Sequence, residues 1–187
     1  GKRGGKLREL IDSLNRFSQD VLTCRAPAFK SDIERILNLL PEAEEDLEKL
    51  RPFIPLFEKI RDKFSSMKIG DDISCGIEVA SWCSEKGLFQ QGFTVLRETI
   101  VNYVIMKVLG SNGLKESKSR ETAEEMLNNG NRKIPEEILS LWREIIDYRN
   151  DINHAGWRKQ NYHEPSEFGK KLEEFIKRFK SIAITIA

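Results

Sequence analysis

Six consecutive residues, Arg149-Asn150-Asp151-Ile152-Asn153-His154, hold an arginine, an asparagine and one of the two histidines of the 187-residue chain. Arginine binds phosphate through a planar fork of donors. Histidine gives or takes a proton near neutral pH. Together they suit a reaction whose substrate brings its own nucleophile. In RNA, a base removes the 2′-hydroxyl proton and the oxygen attacks the adjacent phosphorus. The strand breaks to a 2′,3′-cyclic phosphate and a 5′-hydroxyl. His154 would move the proton, a contribution commonly worth about 10² to 10⁴ in rate. Arg149 would hold the phosphate by charge-assisted hydrogen bonds and stabilise the charge that develops there. Asn150 is the polar residue beside it. DNA lacks the hydroxyl and should be inert. The route needs no metal or other cofactor, and the chain shows no convincing acidic metal cluster. The competing reading of these residue types is a histidine that only caps a helix end.

The helix that must carry these groups opens at Pro135 and buries Ile138, Leu141, Trp142, Ile145 and Ile152. On a straight helix Arg149 and His154 stand about 140° apart around the axis and about 7.5 Å along it. Asn150 and His154, four apart, share a stripe. Two remedies could unite the pair. The helix could distort near Gly156, or two copies could pack about a two-fold axis, the commonest oligomer symmetry. The dimer is the favoured arrangement. Trp157, Arg158 and Lys159 follow directly. They could stack a base and hold a phosphate, or form a packed ring and two solvated charges. Arg132 and Lys133 precede the helix and are weaker candidates for an RNA path. Tyr148 reads as a half-buried aromatic, His163 as an exposed loop residue, and Asp147 and Asp151 as flanking carboxylates able to pair with Arg149.

The rest of the chain reads as helices. Leu7, Leu10, Ile11, Leu14, Phe17, Val21 and Leu22 mark one face of a helix over 6–23. A break at Ala26-Pro27 precedes a short helix capped at Ser31, with Ile33, Ile36, Leu37 and Leu40. Pro41 suits the first position of a separate helix, whose acids Glu42, Glu44, Glu45, Asp46 and Glu48 complement a helix N-terminus. After Pro52 and Pro55, the stripe Phe53, Leu56, Phe57, Ile60, Phe64 and Met67 predicts core. Residues 68–72 predict a turn and a boundary between an N-terminal helical region, 1–69, and a compact domain, 70–187. Asp71 or Asp72 caps a helix closed by Gly87. The longest apolar helix covers 88–109, with Gly92 placed for a close helix approach. A short helix covers 120–128, and the last runs from 167 to about 182 with Phe168, Leu172, Phe175, Ile176 and Phe179 inward. Trp82 and Trp142 read as core. The expected fold is all-α, an antiparallel bundle of about eight helices.

Composition narrows the function classes. Net charge is +1, so no overall field argues for nucleic acid and any basic patch must be local. Cys24, Cys75 and Cys83 form no CxxC pair, which argues against a disulfide framework or a zinc site and for a reducing, cytoplasmic setting. No run is long and apolar enough for a membrane span. The opening Gly1-Lys2-Arg3-Gly4-Gly5 reads as a linker scar, so the natural chain is expected to extend further.

The hexapeptide has the R-N-x-x-x-H form of HEPN domains, all-α nucleases of prokaryotic defence systems, and Ala155-Gly156 after it is also familiar. Gly87-Leu88-Phe89-Gln90-Gln91-Gly92-Phe93-Thr94-Val95-Leu96-Arg97-Glu98 resembles a helix of CRISPR-associated ancillary ribonucleases that join a CARF sensor to a HEPN effector. The resemblance covers about residues 70 to 180. It implies a metal-independent endoribonuclease acting on single-stranded RNA at a composite homodimer site. Arg149 and His154 match the catalytic pair, and Asn150 its polar neighbour. In such relatives cyclic oligoadenylate activates the nuclease through the sensor, and no sensor-like stretch is present in this sequence. The alternative expectation is a non-catalytic helical RNA-binding or dimerisation module. A third is a toxin-like HEPN protein held silent by a partner.

Overall fold

The computed structural model describes residues 5–47, 51–67, 69–110, 112–157 and 162–185. Its elements, in chain order, are α1 (Gly5–Leu22), α2 (Ala26–Leu47), a 3₁₀ turn (Arg51–Phe53), α3 (Ile54–Ser66), α4 (Asp72–Glu85), α5 (Phe89–Tyr103) continued by a π-helical turn (Val104–Val108), α6 (Ser117–Asn128), α7 (Glu136–Asn153) and α8 (Glu167–Thr185). The described residues contain no strand, and the fold is an all-α bundle. No described helix is long and apolar enough to cross a membrane. The chain divides into two compact units, Gly1–Gly70 and Asp71–Ala187.

In the first unit, α2 corrects the expected pair of helices. It begins at Ala26, with Pro27 in the first turn, and passes through Pro41 without ending. A mid-helix proline costs about 3 kcal/mol. Against that cost, Ile33, Ile36, Leu40 and Ala43 are all buried at spacings of three and four. Burying a large aliphatic side chain contributes about 1.5 to 3 kcal/mol, so a continuous stripe outweighs the lost hydrogen bond. The acids after Pro41 therefore do not stand at a helix N-terminus. Glu42 pairs with Lys6 at 2.8 Å, Glu44 with Arg61 at 3.3 Å, and Asp46 accepts from the Leu7 backbone N–H at 3.2 Å. These contacts join α2 to α1 and α3 and offset an unfavourable position in the helix dipole. Phe17 meets Phe29 and Phe64 edge-on at 6.4 and 5.3 Å, and Phe57, Phe64 and Met67 are buried. Phe53 and Leu56 are exposed instead of core: Phe53 lies in the 3₁₀ turn, and Leu56 stands about 100° around α3 from the buried Phe57.

Asp32 is a carboxyl with a 7% exposed side chain, packed beside Asp20, and Arg16 reaches both, at 3.5 and 3.7 Å. Burial, then the hydrogen bond and charge of Asp20, push the Asp32 carboxyl up to about 6. The folded state thus keeps a proton that the unfolded chain loses at lower pH. Its stabilising effect is complete below about pH 4 and is lost as pH rises toward about 6. Asp32→Asn is expected to raise stability at pH 7 by an amount on the order of 2 kcal/mol, and to flatten the pH 4–6 dependence seen in urea melts of the parent.

The second unit is built around α5. Asp71 and Ser74 close a reciprocal cap on α4, each accepting the other's backbone N–H at 2.8 Å, and Gly87 ends the segment at φ +70°. Phe93, Leu96, Ile100, Tyr103 and Val104 are fully buried, which makes α5 the spine. The helix expected over 88–109 is present, but its last turn is π, with the Leu109 N–H bonding to the Val104 carbonyl at 3.0 Å. Gly92 provides the close approach: a Cβ there would lie 2.4 Å from Leu172 Cδ2 on α8. The helix expected over 120–128 starts earlier, at Ser117.

Candidate functional site

The helix α7 extends from Glu136, after Pro135, to Asn153. Arg149 falls four and seven residues after Ile145 and Trp142, so its stem continues the buried stripe. Its position explains its state: Arg149 is half-buried, and its Nε is buried with no hydrogen-bond partner among the described residues. Asn150 is half-buried. His154 is the residue that leaves the helix, at φ −93° and ψ 9°, and it is exposed. Its backbone N–H still bonds to the Asn150 carbonyl at 2.9 Å. One chain therefore places a half-buried arginine and an exposed histidine near one helix end. Among the described residues no hydrogen bond joins Arg149 to His154.

The helix end is shaped by two successive left-handed residues, Ala155 at φ +52° and Gly156 at φ +71°. The Ala155 N–H reaches the Ile152 carbonyl at 3.0 Å and the Gly156 N–H the Asp151 carbonyl at 3.2 Å, so the last carbonyls are satisfied. Left-handed backbone costs an alanine about 1 to 2 kcal/mol. Glycine would remove that strain and return about 0.4 to 1 kcal/mol of it through a freer unfolded chain. Ala155→Gly is accordingly expected to stabilise the protein by about 0.5 to 1 kcal/mol, read as a higher urea midpoint at unchanged slope.

What holds this end in place was only partly visible in the sequence. Gln90, Phe93 and Arg97 share one face of α5 and meet α7 in reverse order. Gln90 Nε2 donates to Asn153 Oδ1 at 3.4 Å, Phe93 stacks on Tyr148 at 5.7 Å, and the Arg97 guanidinium lies 4.9 Å over the Trp142 ring. The two helices are thus antiparallel. Trp142 donates to Asn128 Oδ1 at 2.9 Å and ties α6 to α7. Trp142 is buried and Trp82 half-buried.

His163 is not the plain exposed loop residue its polar surroundings suggest. Its ring stacks on Tyr148 at 3.7 Å, and its Nε2 lies 3.0 Å from Asp147 Oδ2. Its backbone N–H donates to Asp151 Oδ2 at 2.8 Å. Tyr148 is accordingly buried, with Phe168 and Phe175 against its edges. Asp147 and Asp151, expected to orient Arg149, face this segment instead, and neither forms an ion pair with Arg149 among the described residues. Two carboxylates four apart on one helix face were legible. Their partner was not, because it arrives from a loop.

The weaker candidates separate. Trp157 is 88% exposed, with its N–H bonded to the His154 carbonyl at 3.0 Å. Arg132 and Lys133 are exposed in the turn before α7, where Asn131 Oδ1 accepts the Lys133 N–H at 3.0 Å. Arg158 and Lys159 lie outside the described residues. Among the described residues no group of three or more histidine, cysteine or acidic side chains is placed to hold a metal ion. Searches of protein-family models, of curated proteins and of solved structures return no match to this chain.

Proposed function

We propose that this chain is a metal-independent endoribonuclease of the HEPN type, the effector part of a CRISPR-associated defence protein. It cuts single-stranded RNA by attack of the 2′-hydroxyl on its own phosphate. The observation that carries the reading is the buried, unpartnered Nε of Arg149, five residues before an exposed histidine. A buried donor without an acceptor costs about 1 to 3 kcal/mol and is retained where an anion can complete it. In this reading Arg149 binds the scissile phosphate and stabilises the charge of its transition state. His154 takes the proton from the 2′-hydroxyl, and the departing 5′-oxygen gains a proton to leave as a hydroxyl. Asn150, on the His154 stripe, orients the substrate or the ring. The offset of Arg149 from His154 favours a two-fold homodimer, in which each groove takes groups from both copies. Cyclic oligoadenylate would act through a sensor outside this sequence.

The test is a labelled single-stranded RNA incubated in EDTA with the parent and with His154→Ala. Cutting by the parent alone, with cyclic-phosphate ends and with a DNA strand left intact, is the expected result. Equal cutting by both proteins would remove His154 from the mechanism. His154 is exposed, so its loss should leave the fold unchanged by circular dichroism.

A further inference from the structure

Two large aromatic side chains stand in water beside His154. Trp157 is 88% exposed and Tyr162 54% exposed. Both flank one residue: Trp157 follows Gly156 in the chain, and a Cβ built on Gly156 would lie 3.6 Å from Tyr162 Cε2. Each is anchored through its neighbours. The Trp157 N–H bonds to the His154 carbonyl at 3.0 Å. Tyr162 precedes His163, which is held to α7 by Asp151 on its backbone, Asp147 on its ring and Tyr148 beneath it. Exposed rings on an anchored backbone have already lost much of the freedom that binding would otherwise cost.

From this arrangement we infer that Trp157 and Tyr162 form a stacking platform for the unpaired bases of single-stranded RNA next to the cleaved phosphate. The inference deepens the ribonuclease reading and rests on it for the choice of ligand. Stacking is open to every base because each presents a π-face, and it is worth about 1 to 3 kcal/mol per base, or roughly 5- to 150-fold in affinity. The platform therefore confers preference for single strands over duplexes, where bases are already stacked, with little sequence selectivity.

Single-stranded oligothymidylate DNA separates this inference from catalysis, because it carries bases and cannot be cut by a 2′-hydroxyl. With the full chain it should quench tryptophan fluorescence, a signal dominated by Trp157 because Trp142 is buried and Trp82 half-buried. An abasic strand of equal length should not. Read by the anisotropy of a dye-labelled oligothymidylate, which does not depend on Trp157 emission, Trp157→Ala and Tyr162→Ala should each weaken binding by about 5-fold or more, while Trp157→Phe should retain it. In RNA cleavage the alanine variants should raise KM rather than lower kcat. Equal affinity of the parent and Trp157→Ala overturns the platform. So does conversion of a dimer to a monomer by Trp157→Ala, which would make the ring a contact between copies. If the platform fails while His154→Ala still abolishes cutting, the ribonuclease reading stands. If oligothymidylate binding depends on Trp157 while the parent leaves single-stranded RNA uncut, the platform stands and the ribonuclease reading falls.

Discussion

Arg149→Met is expected to lower RNA cleavage by about 10² to 10³-fold while raising the stability of the folded chain by roughly 1 kcal/mol. The two effects have one cause. Arg149 extends the buried stripe of α7, and its Nε is buried without an acceptor. The folded protein thus carries a buried donor with no acceptor among the described residues, a partner that the proposed phosphate would supply. Methionine keeps much of the apolar stem and removes the unsatisfied donor. Lysine would not substitute, since a point charge cannot supply the planar fork. Initial rates on single-stranded RNA and a urea melt of the same preparation decide the matter. A variant that is both less active and less stable would mean that Arg149 is structural. One that cuts like the parent would remove Arg149 from the site.

The largest loss of stability is expected at Arg97. Its side chain, 14% exposed, pairs with Glu98 and meets Glu124 at 2.7 Å. Arg120 joins the same cluster through Glu98 and donates to Asn102 and to the Leu114 carbonyl, both at 2.9 Å. Burial lowers the Arg97 pKa, but the hydrogen bond and charge of Glu124 and the charge of Glu98 outweigh it, so the guanidinium is held above its ordinary range. Arg97→Ala takes the arginine from partly buried Glu124, leaves Glu98 to Arg120 alone and uncovers the Trp142 face. Breaking a buried pair costs about 3 to 5 kcal/mol. The glutamates here are about a third exposed and Glu98 keeps Arg120, which discounts the figure to roughly 2 kcal/mol. Arg97→Met, which keeps contact with Trp142, should lose less. Because the cluster bonds α5 to α6 and braces the helix carrying Arg149, Arg97→Ala is also expected to lower cleavage, through stability rather than chemistry. Recovery of the rate on cooling would distinguish the two.

The recognisable parts of this protein in its sequence are those whose causes are local. The Leu10, Phe17 and Val21 part of the α1 stripe (Ile11 and Leu22 are exposed), a cap at Asp71, the glycine stop at Gly87, the apolar spine of α5 and the inward face of α8 all depend on residues within a few positions of one another. Side-chain spacing and backbone chemistry settle such features before any tertiary contact forms. The same is true of the candidate site's starting point. Arginine, asparagine and histidine near the end of α7, followed by Gly156, could be read directly, together with the rotation that separates Arg149 from His154.

Tertiary structure decided the rest, wherever an energy from elsewhere in the fold competes with a local preference. Pro41 signals a helix start, but a continuous buried stripe on both sides of it outweighs the missing hydrogen bond. Phe53 and Leu56 are apolar and close to the stripe, yet the 3₁₀ turn holds Phe53, and the face of α3 that is buried is the one through Phe57 and Phe64. His163 occurs in a polar stretch, and only folding brings it onto Tyr148 between Asp147 and Asp151. Those carboxylates have Arg149 as a sequence neighbour, and the folded chain turns them to the loop instead. Arg149 is left with a buried donor and no partner. Residue types and their order determined what this helix end could do chemically. Burial and long-range packing, which no local spacing encodes, decided which of those groups remain unpaired and available to do it.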